Sequence, residues 1–65
     1  MPDFYYIAIP YNNLCIAGKY KTKEDADKDL PIFPKGSIVF PSESPDIGDK
    51  SILNTARELL YSPSK

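Results

Sequence analysis

The chain has 65 residues, a net charge of −1, no histidine and a single cysteine, Cys15. That length makes one domain, which buries only about 60% of the surface its unfolded chain exposes; sixteen Leu, Ile, Val and Phe residues are nonetheless enough to build a core. The composition excludes a disulfide within one chain, histidine-based catalysis and the usual zinc ligand sets, and the near-zero charge gives no general attraction to nucleic acid or anionic membrane.

The opening "MPDFYYIAIPYNN" has no basic region before its apolar run, and Pro10 ends that run too early for a signal peptide or a membrane span. A cytoplasmic location without membrane association is expected. Phe4 to Ile9, aromatic and β-branched, predict a first strand, and Leu14 to Lys21 predict a second by their period of two. A two-residue turn at Asn12 and Asn13 would join them, since Asn tolerates positive φ. Tyr11 would then face Leu14, Ile9 would face Ile16, Ile7 would face Gly18 and Tyr5 would face Tyr20. This register sets Tyr5, Ile7, Ile9, Leu14, Ile16 and Tyr20 on one core face. Pro10 cannot donate to a ladder, which favours the second strand as the sheet's centre and leaves the strand order open.

Thr22 followed by Asp25 resembles a capping box and starts a short helix over Lys23 to Asp29, with Leu30 at its end and Pro31 stopping it. Ile32 and Phe33 in "PIFP" are expected to plug the edge of the core. Ser37 to Phe40 predict a third strand ended by Pro41, and the Pro- and Ser-rich 41–48 a loop. Ile52, Leu53, Ala56, Leu59 and Leu60 recur on one helical face and predict a C-terminal amphipathic helix over 49–61, with Asp49 or Ser51 as its cap. The fold class is α+β: a small three-stranded sheet in β-β-α-β-α order, a single domain of a 4–40 core, a loop and a final helix.

Asp25, Asp27 and Asp29 match the first ligands of a calcium loop, but Leu30 stands where Gly is needed and Gly36 where the closing Glu is needed. No metal and no cofactor are expected. No nucleophile–base pairing, P-loop or nucleophile elbow occurs, so the chain is read as non-enzymatic. Pro31 and Pro34 satisfy a bare PxxP pattern, read as structural.

The remaining candidate surface is the hairpin face away from the predicted core, where Phe4 and Tyr6 stand beside Lys19 and Lys21. Those four are the candidate partner-binding residues. An uncovered aromatic and basic face needs a protein partner, a second copy of the chain or the final helix. Stacked bases and neutralised phosphates of single-stranded nucleic acid are the alternative, ranked below protein. The β-β-α-β core resembles, in topology alone, the small proteins by which some bacteriophages inhibit host RNA polymerase; no functional residue carries over. The resemblance implies a regulatory or inhibitory protein that occupies a partner's surface.

Overall fold

Strand β1, Phe4–Ile9, runs through the middle of a three-stranded antiparallel sheet whose order is β2-β1-β3, with β2 at Cys15–Tyr20 and β3 at Ile38–Ser42. Helix α1 (Lys23–Asp29) and a 3-10 turn (Leu30–Ile32) connect β2 to β3, and helix α2 (Lys50–Tyr61) follows β3. The computed structural model describes residues 2–61. The chain is an α+β fold in β-β-α-β-α order.

Centring the sheet on β1 corrects the expectation drawn from Pro10. The β1–β3 ladder runs from Phe4 opposite Ser42 to Ala8 opposite Ile38 and stops there. Pro10 lies beyond it, so its missing N–H costs no ladder bond. Pro41 does not end β3 as expected. It sits opposite Tyr5 within the strand, and an edge strand tolerates proline because its outer side has no neighbour to receive an N–H.

Tyr6, Ile7 and Ala8 are consecutive and all fully buried. Since side chains alternate along a strand, three such residues need cover on both faces of the sheet. Tyr6 and Ala8 point toward α2 and pack with Leu14, Phe40, Ile52 and Ala56, flanked by Phe4, Ile16, Ile38, Leu53 and Leu60. On the opposite face, Ile7 lies on the side of α1, whose one buried residue is Ala26. The Tyr20 hydroxyl donates to Asp29 Oδ2 at 2.7 Å and ties the end of α1 to that face. The hydrogen bond to Asp29, then burial and the Asp29 charge, push the Tyr20 hydroxyl up to about 12.

The hairpin register departs from the simple one. Asn12 (φ 54°) and Asn13 (φ 65°) form the expected left-handed turn, closed by Leu14 N–H donating to the Tyr11 carbonyl at 3.0 Å. Leu14 then also adopts positive φ, 76°. A left-handed non-glycine residue costs roughly 1–2 kcal/mol, while burying a leucine side chain gains about 1.5–3 kcal/mol. Leu14 is 9% exposed, so burial wins. The extra residue shifts the pairing by one: Ile7 faces Ala17, Ala8 faces Ile16 and Ile9 faces Cys15. The pairing returns to Tyr5 opposite Tyr20 through a bulge in which Gly18 and Lys19 share the place opposite Tyr6. As a result β2 sends Ile16 to the α2 face and Tyr20 to the α1 face.

Helix α1 starts as its sequence predicts, with Thr22 Oγ1 accepting from Asp25 N–H at 3.1 Å. Helix α2 is capped by Asp49, whose Oδ1 accepts from Ser51 N–H at 2.9 Å and whose Oδ2 accepts from the Ser44 hydroxyl at 2.8 Å. Leu59 does not join the buried stripe. It is 55% exposed, whereas Ile52 and Ala56 are buried and Leu53 and Leu60 half-buried. Phase does not account for this, since Leu59 falls only about 20° round the helix from Ile52; it lies two turns further along α2, about 10 Å toward the C-terminal end of the helix.

The backbone N–H of Ser51, then the Ser44 hydroxyl, hold the Asp49 carboxyl below its usual 3.8. A carboxylate whose folded pKa is depressed contributes stability above its unfolded pKa and loses it as pH falls through the folded one. Thermal melts from near-neutral pH down through the carboxylate range are therefore expected to show a shallower acid-side fall for Asp49→Asn than for the wild type. Equal slopes would remove Asp49 from the acid response.

Candidate functional site

The four residues expected to form an open binding face are not brought together as one. Tyr6 is fully buried beneath α2 and Phe4 is half-buried beside the same cluster, while Lys19 and Lys21 are exposed. The physical reason is the apolar supply of α2, which covers the Phe4, Tyr6 and Ala8 side of β1. Lys19 is lifted by the bulge so that its Nζ lies 4.8 Å from the centroid of the Phe4 ring, a cation–π contact that shields Phe4 further. With Tyr6 closed off, the stacking platform that a single-stranded nucleic acid needs is absent from this face.

Tyr6 instead holds the β3–α2 loop. Its hydroxyl donates to the Ser44 carbonyl, and burial, then the charges of Asp46 and Asp49, raise its pKa, which keeps that donor protonated. Ser44 in turn receives and gives within the loop: its N–H donates to Ser42 Oγ at 3.2 Å and its own Oγ accepts from Asp46 N–H at 3.3 Å. Gly48 N–H donates to Asp46 Oδ1 at 2.9 Å. The Ser44-Pro45 step is thus a structural corner between β3 and the α2 cap.

In the acidic stretch Glu24, Asp25 and Asp27 are exposed on α1 and Asp29 is half-buried. Helical geometry sends alternate residues about 200° apart, so Asp25, Asp27 and Asp29 cannot converge as they would in a calcium loop. Asp27 pairs with Lys23 at 3.0 Å, and Asp29 accepts from Tyr20. Among the described residues no three His, Cys, Asp or Glu side chains form a group able to hold a metal. Cys15 is exposed at the start of β2, its thiol donating weakly to the Tyr11 carbonyl at 3.6 Å.

Among the described residues the most exposed large apolar side chain is Ile32, at 76%. It corrects the expectation that Ile32 and Phe33 both plug the core. Residues in a 3-10 turn are about 120° apart, so one of the two can face inward, and Phe33 takes that place half-buried. The Ile32 backbone is nevertheless fixed. Pro31 occupies the first turn, Phe33 N–H donates to the Leu30 carbonyl at 3.1 Å, and Ser37 donates to the Pro34 carbonyl through both N–H (3.2 Å) and Oγ (2.7 Å). The Tyr11 hydroxyl donates to the Lys35 carbonyl at 3.3 Å, which joins the hairpin turn to this connector. Tyr11 is itself 49% exposed. The connector thus carries a protruding isoleucine and the exposed prolines 31 and 34, and its Lys35 end touches the exposed Tyr11.

Only the pairing of two prolines around two apolar residues hinted at this feature in the sequence, and it does not say which side chain turns outward. In comparison with known proteins, the chain matches no family model, no curated protein and no solved structure. Among the described residues no helix is long and apolar enough to cross a membrane.

Proposed function

We propose that the chain is a non-enzymatic protein-binding module, acting as an accessory or regulatory protein by occupying the surface of a partner protein, with Ile32 as its main anchor. The observation that carries this reading is a large apolar side chain held three-quarters exposed on a backbone locked between two prolines. Such an anchor has already lost its backbone freedom, so docking it into an apolar pocket costs little further ordering. Tyr11 supplies the aromatic contact that protein interfaces favour, and Lys35 a charge at the rim. The prolines add apolar surface without presenting N–H groups that would need partners.

Affinity capture from cells that express the protein, compared between wild type and two variants, tests the anchor. Ile32→Asp is expected to lose the specific partner protein while melting like the wild type, because a side chain this exposed contributes little to the fold. Lys19→Glu, on the hairpin, is expected to keep it. A partner retained by Ile32→Asp and lost by Lys19→Glu would return the site to the hairpin edge.

A further inference from the structure

The outward residues of α2 are Asn54, Arg57, Glu58 and Tyr61, spaced i, i+3, i+4 and i+7, and they line one shallow groove along the helix. All four are exposed, Tyr61 at 56%, on the side away from Ile52 and Ala56. Among the described residues neither Arg57 nor Glu58 has an ion-pair partner. The order of chemistries along the stripe is amide, cation, anion, phenol. About the midpoint between Arg57 and Glu58, each group is matched by one that complements it: cation with anion, and amide with phenolic hydroxyl.

We propose that this stripe is a self-recognition surface through which two copies of the chain associate, their α2 helices antiparallel about a twofold axis at that midpoint. A twofold interface uses the same patch on both copies, so it must be self-complementary. In this arrangement Arg57 of each copy faces Glu58 of the other, giving two ion pairs. Tyr61 of each copy faces Asn54 of the other, where the phenol can exchange a hydrogen bond with the amide. A parallel arrangement would set Arg57 against Arg57 and Glu58 against Glu58, and like charges placed opposite one another are strongly disfavoured. The orientation therefore follows from the charges. An unrelated partner would have to bring a matching anion and cation at the same spacing; a second copy carries both already.

Two helices of 12 residues meet over a patch well below the roughly 800 Å² per partner of a stable complex. The dimer is accordingly weak, in rapid exchange and sensitive to salt, which screens exposed pairs. It uses a different face from Ile32, so it stands or falls independently of the partner-binding reading above.

Sedimentation equilibrium between about 10 μM and about 1 mM, at low and at high salt, reads the association directly. The wild type is expected to dimerise with concentration and to dissociate as salt rises. Arg57→Glu and Glu58→Arg should each weaken the dimer roughly ten-fold or more by opposing like charges. The double variant R57E/E58R restores the complementarity and should recover wild-type association, a rescue that a change in helix stability alone would not produce. A monomer at every concentration overturns the proposal and leaves the stripe to solvent or a foreign protein. A dimer indifferent to either single reversal, or a double variant no better than the singles, overturns it equally, by placing the contact elsewhere.

Discussion

Replacing Tyr6 by alanine is expected to remove at least about a third of the protein's folding stability. The side chain is fully buried, its ring centroid lies 6.1 Å from that of Phe40, and its hydroxyl ends on the Ser44 carbonyl. Truncating a buried aromatic side chain costs about 3–5 kcal/mol. At roughly 0.05–0.15 kcal/mol per residue, a domain of this size has a total stability of about 3–10 kcal/mol. The substitution therefore removes from a third to all of it, and it also releases the β3–α2 loop that carries the cap of α2. Tyr6→Phe separates the two contributions: the ring stays, the hydroxyl goes, and the loss should fall to about 1 kcal/mol, the net value of one hydrogen bond. Urea titrations followed by far-ultraviolet circular dichroism measure both. A Tyr6→Ala variant within about 1 kcal/mol of wild type would mean that α2 does not cover this face.

Local sequence signals were reliable where the structure depends on neighbours a few residues apart. Thr22 and Asp49 each cap the helix they precede, the turn forms at Asn12 and Asn13, and Tyr5 pairs with Tyr20. Each depends on short-range geometry that a handful of residue types can supply. Element order and fold class follow from those pieces with little further information.

What the sequence concealed is the assignment of faces, because that rests on two single-residue events. Leu14 in a left-handed conformation and the bulge at Gly18 and Lys19 each shift the phase of β2 by one position, and with a period of two a shift of one exchanges the faces. Ile16 and Tyr20, four apart and nominally on the same side, end on opposite sides of the sheet. The expected open face is covered for a related reason: Phe4, Tyr6 and Ala8 read as an exposed face only if the sheet has a single cover. The clue to two covers was present in "FYYIAI", an uninterrupted apolar run of the kind that marks a strand buried on both sides. Ile32 was concealed differently, since the outward turn of one residue in "PIFP" is decided by which of two neighbours packs better against the core.

Gly18→Ala is expected to destabilise the fold by several kcal/mol despite adding one methyl group at an exposed backbone position. A Cβ built at Gly18 would lie 2.5 Å from Cδ1 and 3.1 Å from Cε1 of Tyr6, far inside van der Waals contact. Glycine is thus required here because the bulge brings the β2 backbone directly onto the ring. Inserting volume into a packed region costs typically about 1–3 kcal/mol, and more where the neighbour cannot yield. The Tyr6 ring cannot yield easily: Phe40 lies beside it and its hydroxyl is held by Ser44. The ring can move only by breaking that hydrogen bond or by displacing α2, so the cost should lie at the upper end of the range. A double-mutant cycle identifies the cause. With Tyr6→Leu as background, the rigid ring is replaced by a smaller side chain whose methyls can rotate away from the new one, and Gly18→Ala should cost at least about 1 kcal/mol less than in the wild type. If the cost is the same in both backgrounds, the demand for glycine comes from the backbone of the bulge and not from the ring. That result would separate the two roles of Gly18 in the one segment where β2 changes faces.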